Sequence, residues 1–368
     1  MRPFINIGPG EFIQEELEIR NWTQQDLANI LGTSLKFINE LIKNKQAITI
    51  DTARLLSKAF GQSPQYWLNL DNNYRLRLPE KQNNKAKEAE AKALFYQYMP
   101  IRDMMKRGWL NQSKNISELE NSIKLFWGRN DTDLRFLDKN EASVHYRKSI
   151  KFSHYNLYYS KVWFQMAVNS AKTYTVAKYD KSALEQLADN INQYTVLLNG
   201  VEKFLSELHK AGVKFIILKH LEKTYIDGAS FYDGNNPVIV YTCRHNRLDN
   251  FWFTIAHEIA HILMHFKNKN MSFIDNLDDE SNDIELQADN FASDKLKTNK
   301  ILKYFTSPYI TKVKIEQCSR ELKINPGIIV GILQHHKRLS PRNLNGFKIK
   351  ADEFIPKQYW VENKLAVA

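Results

Sequence analysis

The sequence predicts a mainly α-helical protein with a smaller α+β part. The first eighty residues contain five short amphipathic patterns, most of them bounded by a capping residue or a glycine. Short β-branched runs separated by Gly, Asn and Pro occur between residues 213 and 244. Helical spacing dominates elsewhere. We therefore expect an N-terminal five-helix domain, a helical middle region, a small-sheet domain and a helical C-terminal region.

The five N-terminal helices are predicted from their caps and apolar spacing. Pro9 stands near the start of the first, in GPGEFIQEELEIRN. Thr23 can cap a second helix that ends at Gly32, with Asp26 as a variant of the capping box. Ser34 can cap a third helix, and TIDTARLLSKAFG and SPQYWLNLDNNYRLRL predict the last two. The second and third helices with their tight turn predict a helix-turn-helix.

Composition changes divide the rest of the chain. PEKQNNKAKEAEAKA alternates charges and has almost no large apolar residue, which is typical of a linker or a solvated helix. The runs VKFIILKHL, GASFYD and NPVIVYTCR predict strands, and helices are predicted at Leu248–Phe266 and Ile284–Leu296. The predicted divisions are residues 1–80, a linker at 81–93, a helical middle region at 94–212, the small-sheet domain at 213–300 and a basic C-terminal region at 301–368.

Composition also limits the class of protein. The chain has 368 residues, 43% hydrophobic and 25% charged, which suits two or three globular domains. It has no uncharged apolar stretch of about 18 residues, and MRPFINIGPGEFIQ lacks a signal-peptide pattern. Cys243 and Cys318 are too few for a disulfide framework and are expected to be buried. We therefore expect a cytoplasmic protein with no membrane partner.

The formal net charge of +11 is unevenly distributed. Residues 1–80 carry nine basic and nine acidic residues, whereas residues 295–350 carry thirteen basic residues and two acids. A solvated lysine-rich surface and a nucleic-acid contact both remain open for this second segment. Within it, VKIEQCSRELKINPGIIVGILQHHKRL repeats the helix-turn-helix spacing, either as a second such motif or as a helix pair used in packing.

The segment FTIAHEIAHILMHF places polar side chains in an apolar helix. His257 and His261 are four residues apart, so both imidazoles lie on one helix face and can bind one metal ion. Glu258 is rotated by about 100° from His257, which places it beside such a metal, where it can act as a base. Catalytic zinc takes three protein ligands and a water whose proton a nearby carboxylate accepts. The HExxH spacing therefore predicts Zn²⁺.

The second predicted helix supplies candidates for the third ligand. In ELQADNFASDKL, we assign Glu285 as the ligand and Asp289 as the acceptor of a ligand histidine's other ring proton. The alternative is that both are ordinary solvated acids. His265 is a rival ligand, but eight residues of straight helix from His257 rise about 12 Å, whereas zinc ligands lie about 2 Å from the ion. We therefore interpret His265 as a packed or helix-end histidine.

Two segments resemble known families. The sequence from GPGEFIQEELEIRN through SPQYWLNLDNNYRL resembles the Xre/HigA-type antitoxin and repressor domain over nearly all of residues 1–80. Asn44 stands where that family usually has glycine, which is tolerable because Asn also adopts the left-handed conformation. FWFTIAHEIAHILMHF followed by ELQADNFA is similar to the ImmA/IrrE group of zinc metallopeptidases, over roughly residues 214–296. The middle region carries no such resemblance.

The second resemblance implies a zincin-like endopeptidase of the gluzincin type. It implies that His257, His261 and Glu285 bind zinc and that Glu258 is the catalytic base. Members of that group are anti-repressors that cleave a helix-turn-helix repressor, so the resemblance implies a proteolytic regulator with such a substrate. We expect the strand in NPVIVYTCR to align an extended substrate by edge pairing. The candidates for steadying an oxyanion are Tyr241, Arg244 and Arg247.

The first resemblance implies double-stranded operator DNA as a partner and allows a cognate toxin as another. In a helix-turn-helix the exposed side of the second helix of the motif enters the major groove. The residues expected to face bases or phosphates are Ser34, Lys36, Asn39 and Lys43. The buried face is assigned to Phe37, Ile38, Leu41 and Ile42. Such domains usually bind as dimers, so we expect a homodimer.

Two functions follow from these patterns. In the first, a DNA-binding transcriptional regulator carries a zinc-dependent endopeptidase that cleaves a regulatory protein. In the second, a HigA-like antitoxin or repressor has a metal site that is structural or sensory. The HExxH motif with Glu285 and Asp289 favours the first, because a structural zinc needs neither Glu258 nor an open coordination position.

Overall fold

The computed structural model describes residues 6–78, 84–139, 144–146, 156–269, 271–275 and 283–361. The chain divides into two compact units, Met1–Lys87 and Glu88–Ala368. Helices predominate, and one small mixed sheet lies in the second unit. This architecture confirms the predicted fold class. No helix in the described ranges is long and apolar enough to cross a membrane.

The described part of the first unit contains the five predicted helices. They are α1 (Pro9–Arg20), α2 (Gln24–Leu31), α3 (Leu35–Ile42), α4 (Ile50–Phe60) and α5 (Pro64–Leu76). The capping box of α2 is complete, because the Thr23 side chain accepts from the Asp26 N–H and the Asp26 carboxylate accepts from the Thr23 N–H. Ser34 caps α3 by accepting from the Phe37 N–H at 3.1 Å. Polar caps therefore define both helices of the helix-turn-helix.

The core of the first unit is formed by side chains of all five helices, α1 to α5. Ile38 and Leu41 of α3 are buried there against Trp67 and other apolar side chains. Phe37 and Ile42, also assigned to the buried face, are only half-buried. The remaining surface of α3 faces solvent.

Asn44 determines how α1 meets the end of α3. Its φ of 57° is left-handed, and its Oδ1 accepts from the Gly10 N–H at 2.8 Å. A β-carbon at Gly10 would lie 1.9 Å from the carbonyl oxygen of Ile42. The glycine allows the two backbones to approach closely, and the asparagine side chain then links them.

The remaining α-helices follow along the chain, and the first of them begins in the first unit and ends in the second. They are α6 (Asn84–Tyr98), α7 (Ile101–Lys106), α8 (Ile116–Trp127), α9 (Leu157–Ala171), α10 (Lys181–Asp189), α11 (Ile191–Thr195), α12 (Gly200–Lys210), α13 (Leu248–Ala260), α14 (Asp283–Lys295), α15 (Thr298–Tyr304), α16 (Lys312–Leu322) and α17 (Pro326–His335). Residues 84–93, part of the segment expected to be a linker or solvated helix, are helical in α6. Residues 79–83 of that segment lie outside the described ranges.

The strands form one mixed sheet in the order β1-β5-β3-β4-β2. They are β1 (Val144–Tyr146), β2 (Lys214–Ile217), β3 (Gly228–Asp233), β4 (Asn236–Tyr241) and β5 (Ser272–Asp275). β3 is antiparallel to both β4 and β5, whereas β2 is parallel to β4 and β1 to β5. The sequence patterns predicted β2, β3 and β4 but missed the short strands β1 and β5.

Both faces of β2 and β4 are buried, and alternate residues of these two strands enter different cores. Phe215 and Ile239 point into a core shared with α10, α12, α13 and the C-terminal helices. Ile216 and Val240 point into a second core with α6 to α9. Burial on two sides explains why β2 and β4 are continuous apolar runs without polar alternation. The predicted divisions at 212/213 and 300/301 thus separate segments that share these cores.

The C-terminal helix pair is part of this packing. α17 buries Ile328, Ile329, Val330 and Leu333. A β-carbon at Gly331 would lie 2.5 Å from Oδ2 of Asp249 in α13, so α17 packs closely against α13. This position favours the packing interpretation of the repeated spacing, because α17 has little exposed surface for DNA. Of the two cysteines, Cys318 is buried as expected, whereas Cys243 is only half-buried.

Candidate functional site

Helix α13 carries the HExxH residues into the interior. It packs against β3, β4, α14 and α17, and His257, Glu258 and His261 are each 0% exposed. The predicted straight helix to Phe266 ends earlier, at Ala260, and His261–His265 form a π-helical turn. In it the Phe266 N–H donates to the carbonyl of His261, five residues back, at 3.3 Å. Such π-turns inside helices are frequent at functional sites.

Two histidines of this segment and Glu285 of α14 converge on one point. Nε2 of His257 lies 3.0 Å from Nε2 of His261 and 3.2 Å from Oε2 of Glu285. The remaining separation, from His261 Nε2 to Glu285 Oε2, is 3.6 Å. Ligands about 2.05 Å from a tetrahedral zinc are about 3.3 Å apart. The three donors therefore have the spacing and chemistry of a group that could hold a metal ion.

Asp289 lies on the other side of the His257 ring. Its Oδ1 is 2.8 Å from His257 Nδ1, and it comes from the helix that supplies Glu285. A carboxylate accepts here, so Nδ1 carries the ring hydrogen and the lone pair of the neutral ring is at Nε2. That lone pair is on the atom that faces His261 and Glu285.

Glu258 is enclosed between α13 and the start of β3. A β-carbon at Gly228 would lie 2.1 Å from Oε1 of Glu258 and 3.0 Å from Cγ2 of Thr254. Only a residue without a side chain leaves room for the carboxylate at this position. Gly228 is therefore part of the site, although nothing in GASFYD signals this role.

His265 is buried beside His261 and does not belong to the converging group. Its Nδ1 lies 2.9 Å from His261 Nδ1, and its Nε2 lies 3.3 Å from Oε1 of Gln287 in α14. Burial, and then the neighbouring His261, lower the pKa of His265, which favours a neutral ring. The interpretation of His265 as a packed histidine is therefore incomplete, because both ring nitrogens have polar neighbours.

The expectation that β4 pairs with a substrate at a sheet edge is wrong, whereas the oxyanion candidates remain predictions. β4, expected to pair with a substrate at a sheet edge, lies between β2 and β3 and is hydrogen-bonded on both sides. Tyr241 is buried, with its hydroxyl 3.2 Å from the carbonyl oxygen of His245. Arg244 donates to Asp227, next to Gly228, at 2.9 and 2.7 Å. Arg247 pairs with Asp249 at 2.9 Å.

On α3 the predicted DNA-facing residues lie largely on the exposed side. Ser34, Lys36 and Lys43 are exposed, and Asn39 is half-buried with its Nδ2 3.4 Å from Gln24 Oε1. Leu35, which the sequence pattern does not single out, is 44% exposed on the first turn of the same helix.

The lysine-rich C-terminal segment contributes a second basic surface. Its exposed cations include Lys300, Lys303, Lys312, Lys314, Lys323 and Arg338. Arg338 is used in part within the fold, because it donates to the carbonyl oxygen of Phe305 at 3.0 Å. The solvated surface and the nucleic-acid contact both remain compatible with this arrangement.

Known protein families match two segments of this chain, one in each unit. A profile described as Helix-turn-helix matches residues 13–67, and a peptidase profile described as an IrrE N-terminal-like domain matches residues 209–328. Virulence-associated protein I of Dichelobacter nodosus is 39% identical over 75 residues, which are 20% of this chain and 69% of that protein. The chain belongs to the helix-turn-helix family.

Further relatives of this helix-turn-helix protein match similar lengths. An uncharacterised HTH-type transcriptional regulator of Escherichia coli (strain K12), YddM, is 37% identical over 73 residues, 20% of this chain and 78% of that protein. A solved structure of a HigA-family addiction module antidote protein from Coxiella burnetii is 33% identical, covering 24% of this chain and 96% of its own, with a TM-score of 0.21. The chain thus joins a helix-turn-helix regulator domain to an IrrE-like, metallopeptidase-like domain.

Proposed function

We propose that this helix-turn-helix protein is a DNA-binding transcriptional regulator whose IrrE-like domain is a zinc-dependent endopeptidase. Its substrate would be a regulatory protein such as a helix-turn-helix repressor. The observation that carries the proposal is the convergence of donor atoms from His257, His261 and Glu285, all within 4.8 Å of one another. Glu258 is buried on the same helix.

In this proposal each residue has a separate role. His257, His261 and Glu285 hold Zn²⁺, and Asp289 fixes the ring of His257. Zinc in such a site supplies an activated water and polarises a peptide carbonyl. Glu258 would accept a proton from the attacking water at a carboxylate oxygen and would return it to the departing amine.

Burial of the site bears on its activity. The three ligand candidates and Glu258 are at most 4% exposed. Shielding from water strengthens the electrostatic interactions that a bound metal ion would make with these side chains. The same burial is compatible with the second candidate function, a regulator whose metal is structural or sensory, because such a metal needs no access for a peptide.

The two candidates are separated by a Glu258→Gln substitution. We expect the parent and variant to bind equal zinc and only the parent to cleave one of a panel of purified helix-turn-helix repressors from the same genome. Asp294→Asn is a matched control, since it removes an exposed acid of α14. Equal cleavage by Glu258→Gln would exclude Glu258 as the base. Zinc binding without cleavage of any repressor would favour the structural or sensory site.

For DNA binding, we propose that α3 contacts operator DNA within a homodimer. Lys36 and Lys43 would contact phosphates or base edges. The Ser34 oxygen caps α3, which leaves its hydroxyl hydrogen available to a phosphate, and Asn39 would contact a base. Leu35 would pack against a thymine methyl group. A cognate toxin would be a further partner of this unit.

Gel shifts with the DNA upstream of the chain's own gene test this interface. Lys36→Ala should weaken binding and reduce the slope of log affinity against log salt by about 1. Lys58→Ala is the control, since it removes an exposed lysine of α4. Sedimentation should give a dimer. Equal losses in both variants, or no binding by the parent, would contradict the proposed interface.

A further inference from the structure

His265 connects the proposed zinc ligand His261 to helix α14. The imidazole is 6% exposed and lies at the last position of the π-helical turn. One nitrogen, Nδ1, is 2.9 Å from His261 Nδ1, and the other, Nε2, is 3.3 Å from Gln287 Oε1. Gln287 lies two residues after Glu285. Helix α14 therefore supplies both the proposed ligand Glu285 and the amide that contacts His265.

The acceptor at the end of this chain of contacts, Oε1 of Gln287, determines which ring nitrogens carry a hydrogen. A neutral imidazole has one N–H and one lone pair, and an amide oxygen can only accept. His265 therefore carries its hydrogen at Nε2 and accepts at Nδ1. The Nδ1 of His261 must then be the donor, which leaves the lone pair of His261 at Nε2. That nitrogen is the one that faces His257 and Glu285.

The opposite direction would disable the site. If position 287 donated, His265 would carry its hydrogen at Nδ1 and donate to His261 Nδ1. His261 would then carry its hydrogen at Nε2, the atom directed at the other donors, and could not bind a metal there. An acceptor at position 287 is therefore the arrangement that is compatible with metal binding.

Neighbouring residues hold the two rings in this geometry. The π-helical turn brings His265 against His261, with ring centroids 4.9 Å apart. Phe273 of β5 stacks on His261 at 4.4 Å with an interplanar angle of 20°. His261 is therefore fixed by ring stacking on one side and by a hydrogen bond at its edge.

We propose that His265, supported by Gln287, is a positioning residue that fixes the tautomer and orientation of His261 and thereby raises the affinity for metal. This inference rests on the proposed function in one respect, the assignment of His261 as a ligand. The two histidine ligands are then oriented differently. His257 is held by a carboxylate, Asp289, whereas His261 is held by a neutral imidazole and an amide.

The test measures zinc affinity by competition with a chromophoric chelator and the visible absorption of the Co²⁺-loaded full chain. His265→Leu should weaken zinc binding by about 10- to 100-fold, as loss of partners behind metal ligands does. His265→Asn should recover much of that loss, because its amide oxygen is as far along the side chain as Nδ1. The Co²⁺ absorption should change in His265→Leu.

Gln287 provides a test that does not disturb the core, since it is exposed. Gln287→Leu should weaken zinc binding, whereas Gln287→Glu keeps an acceptor and should not. Asn290→Leu, which removes another exposed amide of α14, is the matched control. If folded His265→Leu and Gln287→Leu bind zinc as tightly as the parent, the inference is wrong. A parent that binds zinc but cleaves nothing would defeat the endopeptidase alone, and a parent that binds no zinc would defeat both.

Discussion

Gly228→Ala tests whether the position of Glu258 controls cleavage. The new β-carbon would lie 2.1 Å from Oε1 of Glu258, whereas β-carbons essentially never approach a heavy atom closer than 3.0 Å. The carboxylate must therefore move by about 1 Å, a displacement that can cost about 100-fold in rate. This loss corresponds to ~2.7 kcal/mol of transition-state stabilisation. Overpacking should also lower the free energy of unfolding by about 1–3 kcal/mol.

The assay compares kcat/KM for repressor cleavage with the zinc content of the same preparations. We expect Gly228→Ala to retain zinc, because its β-carbon does not meet a ligand, and to lose most of its activity. Gly346→Ala is the control, because a β-carbon there has no neighbour within 4 Å. A folded Gly228→Ala protein that cleaves as fast as Gly346→Ala would refute the reasoning. Loss of zinc in Gly228→Ala would also refute it.

Three other substitutions test individual contacts. Asp289→Asn should weaken zinc binding by about 10- to 100-fold, and Asp294→Asn should not, as measured by chelator competition. Asn44→Ala should reduce the free energy of unfolding in urea by about 1–3 kcal/mol, through the lost hydrogen bond and the left-handed backbone. Hydrogen bonds from the Thr23 N–H and then from the Thr23 hydroxyl lower the pKa of Asp26. The ionised Asp26 carboxylate therefore stabilises the fold at neutral pH, and this contribution is lost as the pH falls below about 4. Asp26→Asn should therefore lower the melting temperature at neutral pH but not at about pH 3.

The predictable part of the fold is the part encoded locally. Thr23 and Ser34 are caps that act within three residues, so the boundaries of α2 and α3 follow from the sequence. β3 and β4 are two apolar runs joined by a two-residue turn in which Gly234 has a φ of 62°. β1 and β5 were missed because each depends on pairing with a partner distant in sequence. Their side chains carry no alternation long enough to detect.

The same distinction applies to the site. His257, Glu258 and His261 lie within five residues, so helix geometry predicts their relation, whereas the meeting of α13 with α14 depends on tertiary packing. The position of His265 does not follow from the sequence, because the spacing predicts a straight helix and the π-helical turn changes the direction of the ring. Gly228 could not be identified from one sequence, since its requirement comes from the carboxylate of Glu258.

The sheet lies between the proposed zinc site and the middle region of the chain. One face of the sheet packs against α13, which holds His257 and Glu258, and the other against α6 to α9 of the middle region. Phe273 supports His261, while its neighbour Ile274 is buried in the core that α8 and α9 complete. The middle region therefore packs against the strand whose Phe273 stacks on His261. If His261 is a zinc ligand as proposed, we expect a change in the packing of α8 or α9 to alter zinc affinity through β5.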